Sequence, residues 1–208
     1  TVTGAVLTAG TSDGKIETTG KNSVGIFNEN GGTANIKLDN GGATALNVSI
    51  IGNDGASGIY AKGGNVNLDS GSKMTIGETL GANKEAVGVY YVGNAGTINN
   101  NLTSLTIGKG SIGIVDAGTG ATTINNNLAT VNLKGDSVYT YTSNTRSNVI
   151  GNTKITSSGN GNYGYYVAGN LTNNAGANMN FSSGTGNVGI YSAYRAGGTG
   201  IARNAATI

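Results

Sequence analysis

The chain has no proline, no cysteine and no histidine. Each absence closes off a class of structure or chemistry. Without histidine there is no imidazole base and no Ser-His-Asp triad. Without cysteine there is no thiol nucleophile and no thiolate metal site. Disulfide staples are also excluded, so backbone ladders and an apolar core must carry stability. The zero cysteine count does not by itself fix a compartment. Proline would remove a donor from a strand paired on both sides, so its absence fits continuous sheets. Charge is sparse, with 12 basic and 10 acidic residues and a net charge of +2. All ten acids lie at or before Asp136, and only Arg146, Lys154, Arg195 and Arg203 follow as charged residues. Four scattered cations do not make a nucleic-acid stripe. No run approaches the ~20 apolar residues of a membrane helix, and the ~10-residue alternating strands of a membrane barrel are not evident.

What is abundant is glycine, at 38 residues, and asparagine, at 30. They punctuate a repeat. Ile98-Asn99-Asn100-Asn101-Leu102 returns 26 residues later as Ile124-Asn125-Asn126-Asn127-Leu128. A period of this size means stacked units rather than one globular core. Three short signals recur in fixed order. The first is apolar or small, Gly, apolar, aromatic: Val24-Gly25-Ile26-Phe27, Ser57-Gly58-Ile59-Tyr60, Val87-Gly88-Val89-Tyr90, Ile112-Gly113-Ile114-Val115, Tyr163-Gly164-Tyr165-Tyr166 and Val188-Gly189-Ile190-Tyr191. Val138-Tyr139-Thr140-Tyr141 occupies the gap, with Tyr in place of Gly. Central positions are separated by 33, 30, 25, 26, 25 and 25 residues. A second signal follows near Ile36, Val66, Ile98, Ile124, Val149 and Leu171. A third follows near Val48, Met74, Leu105, Val131, Ile155 and Met179, the copy at Thr153-Lys154-Ile155 being the weakest.

Each signal spans 3–5 residues and alternates apolar with polar, which reads as a strand, and turn-forming residues separate them. Three such strands cannot bury their apolar side alone. Stacking equivalent strands produces three parallel sheets around a narrow core. The fold class expected is therefore all-β: a right-handed parallel β-helix of about seven coils, roughly 33 Å long at the usual strand spacing. An antiparallel sandwich also predicts frequent turns, but not equivalence at 25–33 residues. Asparagines at equivalent positions are expected to form amide ladders, with Asn99 to Asn101 and Asn125 to Asn127 as the candidates. Both ends fall mid-repeat and Thr1 begins no signal peptide. Residues 1–208 thus read as one β-helix segment, expected to belong to a longer array.

Strict alternation places Val87 and Val89 inward and Gly88 and Tyr90 outward. The outward column is then Phe27, Tyr60, Tyr90, Val115, Tyr141, Tyr166 and Tyr191. Such rings either pack between coils or form a strip that binds sugar or protein. The long intervals suggest loops at Glu78 to Lys84 and at Thr142 to Asn148. The candidate binding surface is thus Tyr60, Tyr90, Tyr141, Tyr166 and Tyr191, with Glu78, Lys84 and Arg146 from the loops. No catalytic set, metal site or cofactor site is expected. Asp13 with Glu17, or Asp136 alone, are the best carboxylates on offer, and Asp39, Asp69 and Asp116 read as turn caps.

The repeated Val-Gly-Ile-Tyr unit, its Asn-rich links and its Ile-x-Ile/Leu strands resemble the passenger regions of bacterial type V autotransporters. The likeness is strongest to the very large surface adhesins of fusobacteria. That resemblance implies a β-helix displayed outside an outer membrane and a β-barrel translocator elsewhere in the parent chain. It also implies adhesion to glycan or protein on host cells or other bacteria. No binding residue carries over, because the repeat motif is structural. The rival expectations are a carbohydrate-active β-helix, such as a polysaccharide lyase, hydrolase or tailspike segment, and a purely structural spacer.

Overall fold

The computed structural model describes residues 6–9, 15–18, 20–29, 31–38, 47–50, 55–79, 85–193 and 200–208. Among them there is no helix, and every strand pairing is parallel. β1 (Val6–Ala9) and β2 (Lys15–Thr18) come first. Triplets then follow in chain order. They are β3 (Val24–Asn28), β4 (Thr33–Leu38) and β5 (Asn47–Ile50); β6 (Ser57–Ala61), β7 (Gly64–Leu68) and β8 (Lys73–Ile76); β9 (Val87–Tyr91), β10 (Gly96–Asn100) and β11 (Ser104–Ile107). Next come β12 (Ile112–Asp116), β13 (Thr122–Asn126) and β14 (Thr130–Leu133); β15 (Val138–Thr142), β16 (Asn148–Gly151) and β17 (Lys154–Ser157); β18 (Tyr163–Val167), β19 (Asn170–Asn173) and β20 (Asn178–Asn180). β21 (Val188–Ser192) and β22 (Ala202–Asn204) complete the order.

Each strand pairs with its equivalent one triplet away. The result is three sheets: an aromatic sheet running β3 to β21, an asparagine sheet running β1 to β22, and a third sheet running β2 to β20. Ile98 lies between Val66 and Ile124, and Leu105 between Met74 and Val131, as the repeat requires. The chain is a parallel β-helix, and every strand signal in the repeat falls on or overlaps a strand.

The core is a thin column. Ile59, Val66 and Met74 of one triplet sit under Val89, Ile98 and Leu105 of the next, all at most 2% exposed. Such burial comes to five successive triplets, β6 to β20, so the β-helix has about five turns rather than seven. The flanking strands pair in register but leave apolar groups uncovered: Val24 and Phe27 on β3, and Tyr191 on β21, are 40–49% exposed. A recurring sequence signal marks where a strand can form. It does not guarantee that a turn is closed around a buried core.

The amide ladders form. Asn99 donates Nδ2–H to Asn67 Oδ1 at 2.8 Å, and Asn125 donates to Asn99 at 2.7 Å. A second file at the following corner runs Asn101, Asn127, Asn152 and Asn174, with each step at 2.7–3.1 Å. Asn100 and Asn126, between these files, face inward and are fully buried. Asn126 donates there to Thr140 Oγ1 at 3.1 Å.

Candidate functional site: the aromatic ladder

The aromatic sheet departs from strict alternation, and the departure builds its outer face. A Cβ placed on Gly88 would lie 2.8 Å from Met74 Sδ and 3.0 Å from Ile76 Cδ1, which are core atoms. On Gly113 it would lie 2.9 Å from Ile107 Cδ1 and 2.6 Å from the Tyr139 carbonyl oxygen. The glycines therefore face inward, which corrects the expectation that they face out and make room for rings. Val89 and Ile114, the residues that follow them, are buried as well. Two consecutive residues thus face the core, and the ladder skips the glycine: Val87 pairs with Ile112 and Val89 with Ile114, with no glycine partner between them. Removing the side chain lets this sheet approach the third sheet closely.

At one turn the glycine is replaced. Tyr139 enters the core, fully buried, and its neighbour Thr140 is correspondingly small. The Tyr139 hydroxyl lies 3.2 Å from Thr153 Oγ1. Tyr91 and Tyr165 also point inward and are fully buried. Burial pushes the Tyr91 phenol up to about 12, with the Asp116 carboxylate adding to the effect. It raises Tyr139 and Tyr165 above the ordinary value as well. Of these three inward rings, Tyr139 stands at the glycine position, which strict alternation turns outward, whereas Tyr91 and Tyr165 fall on the parity that it turns inward.

Asp116 is the one fully buried carboxylate among the described residues. As expected of a turn cap, its Oδ1 accepts from the Gly118 N–H at 2.9 Å. Its Oδ2 accepts from Asn144 Nδ2 at 3.1 Å. Desolvation nevertheless raises its pKa, because these hydrogen bonds offset only part of the loss of water.

Two further columns are set by the register. One is Val24, Ser57, Val87, Ile112, Val138, Tyr163 and Val188, in which Ser57 and Val87 are buried. The other is Phe27, Tyr60, Tyr90, Val115, Tyr141, Tyr166 and Tyr191, the outward column expected from the sequence. Neither column contains a charge. Phe27, Tyr60 and Tyr90 stack at centroid separations of 5.5 Å, within 9° of parallel. A centroid separation above the roughly 3.5–4.0 Å of carbon contact is what an offset stack gives, the arrangement that the ring quadrupole favours. Val115, only 5% exposed, interrupts the file. Tyr141, Tyr166 and Tyr191 resume it at 5.1 and 4.6 Å, and Tyr163 packs edge-on against Tyr166 and Tyr191. Lys62 stands 5.4 Å over the Phe27 ring and pairs with Glu29 at 3.3 Å, beside the column.

Glu78 and Arg146 lie at two different corners. Glu78 is exposed at the corner after β8, whereas Arg146 is exposed at the corner after β15. That second corner is not a free loop. Asn144 and Ser147 are buried in it, Asn144 Oδ1 accepts from the Arg146 N–H at 2.9 Å, and Arg146 Nη1 donates to the Thr119 carbonyl at 3.3 Å. Lys84, Asp13, Asp39 and Arg195 lie outside the described residues. Asp136 sits in a turn, 3.9 Å from Lys109 Nζ. No three acidic residues come together among the described residues. Compared with protein-family models, curated proteins and solved structures, the chain matches none.

Proposed function

We propose that this chain is a non-enzymatic stalk segment of a bacterial surface adhesin, a rod that presents its aromatic face to host cells or other bacteria. The observation that carries this reading is the contrast between repetition and chemistry. Five turns repeat one structural plan, yet no three acidic residues come together among the described residues. The side chains that do converge are rings on an uncharged outer face. Ladders of identical strands suit a rod, because length grows by one strand spacing per turn and folding propagates from neighbour to neighbour. The absence of cysteine fits passage across an envelope unfolded. Display outside the outer membrane, with a β-barrel translocator elsewhere in the parent chain, belongs to the same proposal.

The test is adhesion of the purified chain, fluorescently labelled, to epithelial cells and to mixed oral and gut bacteria. Saturable binding, competed by unlabelled chain, is the expected outcome. Release of reducing sugar from a polysaccharide panel at a catalytic rate would overturn the reading in favour of an enzyme. Absence of saturable binding to any surface would leave the chain a spacer.

A further inference from the structure

We infer that the outer face of the aromatic sheet is a binding track for a single extended, uncharged, β-linked polysaccharide chain lying along the rod. This deepens the adhesin reading and rests on it for biological context, but it stands on its own geometry. Four features of the face select this occupant. The first is charge: neither outward column carries a cation or carboxylate, and the Lys62 ammonium over Phe27 at one end is paired with Glu29 at 3.3 Å, so the face offers an anionic glycan or a nucleic acid little counter-charge. The second is size. Seven strands at about 4.8 Å make a strip roughly 30 Å long, and two columns make it at most about 10 Å wide, narrower where Ser57 and Val87 are buried. Some 300 Å² is well below the ~800 Å² per partner of a stable protein–protein interface. A narrow linear ligand fits that strip, and a second globular surface does not.

The third feature is pitch. Ring centroids recur every 4.6–5.5 Å along the rod. One pyranose in an extended β-linked chain advances by close to the same distance, so sugar and ring remain in step. The fourth is surface chemistry. Slipped rings leave part of each face bare, which suits the apolar face of a pyranose with equatorial hydroxyls. The row of tyrosine hydroxyls supplies donors and acceptors beside it. Val115 divides the track into Phe27-Tyr60-Tyr90 and Tyr141-Tyr166-Tyr191, two three-ring sites separated by one missing ring.

The test is isothermal titration of the purified chain with cellohexaose and chitohexaose, alongside retention on insoluble cellulose and chitin. Amylose, which coils, and polygalacturonate, which is anionic, are the controls. Expected are binding to at least one β-linked oligomer and no binding to either control. Tyr166→Ala should weaken binding at least tenfold while thermal melting shows that the fold persists. Should that variant fail to fold, two gains of function keep the proposal open to refutation. Val115→Tyr fills the missing rung, and deletion of residues 113–138, one turn in register, brings Tyr141 directly onto Tyr90. Either change should tighten binding to the hexamers at least threefold. Equal binding to amylose, binding to polygalacturonate alone, no binding to either hexamer, or unchanged affinity in both gain-of-function variants would overturn the track. If cells are bound but neither hexamer is, the adhesin reading stands and the glycan track falls. If glycans bind but no cell does, the reverse holds.

Discussion

The asparagine sheet and the aromatic sheet solve the same problem with opposite chemistry. Both carry an outward file of identical groups repeated at the strand spacing. In the asparagine file each amide donates to the carbonyl oxygen one turn away, as Asn125 does to Asn99 and Asn99 to Asn67. A file of this kind uses its strongest groups on itself. In the aromatic file the rings meet one another, and the four interior tyrosines, Tyr60, Tyr90, Tyr141 and Tyr166, stay partly exposed, while Phe27 and Tyr191 at the two ends are uncovered to 49% and 45%. The same repeat therefore gives one face that is largely self-satisfied and another with capacity left for a ligand. Repetition sets the geometry of a solenoid face, and the functional group repeated decides whether anything remains to be recognised.

Alkali should break this contrast most forcefully, because the three buried phenols, Tyr91, Tyr139 and Tyr165, all come from the aromatic sheet. Their folded-state pKa values lie above the ordinary value of 10.0, so the folded state holds protons that the unfolded chain releases. Stability is then complete below pH 10 and falls as pH rises from 10 toward about 12, the Tyr91 value. Each such tyrosine contributes up to about 1.4 kcal/mol of loss per pH unit in that window. Chemical denaturation at pH 8, 10, 11 and 12 checks it. A flat profile would mean that these rings are hydrated.

A second perturbation strikes the aromatic sheet through its backbone. Gly113→Val places a branched side chain against the Tyr139 carbonyl and Ile107. The expected loss is about 3 kcal/mol or more, at or beyond the upper end of overpacking costs. Urea denaturation with an unchanged m-value measures it. An outward glycine would accept valine at little cost, so a loss under about 1 kcal/mol would restore the alternation rejected above. The smallest effect belongs to the asparagine sheet. Asn99→Ala removes the middle rung of a half-exposed ladder and should cost about 1 kcal/mol, since water replaces much of what is lost. A loss several times larger would show that the amide file acts cooperatively along the rod.

Much of this architecture was legible in the residues. Three recurrent signals at 25–33-residue intervals gave the three parallel sheets, because only stacked turns make such positions equivalent. The amide files and the outward ring column followed from the same equivalence. The inward glycines did not, because period-two reasoning has no place for a strand that turns two consecutive side chains to the core. A residue without a side chain also leaves no apolar mark to reveal its direction. Tyr139 was hidden for a related reason: it takes the glycine's place, and a tyrosine reads alike whether its ring lines the core or the surface. Asp116 was recognised as a cap from its neighbouring glycine, but its burial depends on Tyr91 and Thr142 above and below it in the register. That packing is not local in sequence.

The direction of the backbone ladders has a mechanical consequence. Hydrogen bonds between turns run along the rod, as in Ala117 N–H to the Tyr91 carbonyl at 2.9 Å and Ser143 N–H to the Asp116 carbonyl at 3.0 Å. A pull on the two ends loads them in tension, a few at a time, rather than in shear all together. The molecule should therefore yield by unspooling. Each turn released from β9 onward pays out its 25 or 26 residues of slack, roughly 85 Å of extended chain, while the turns beyond it stay wound.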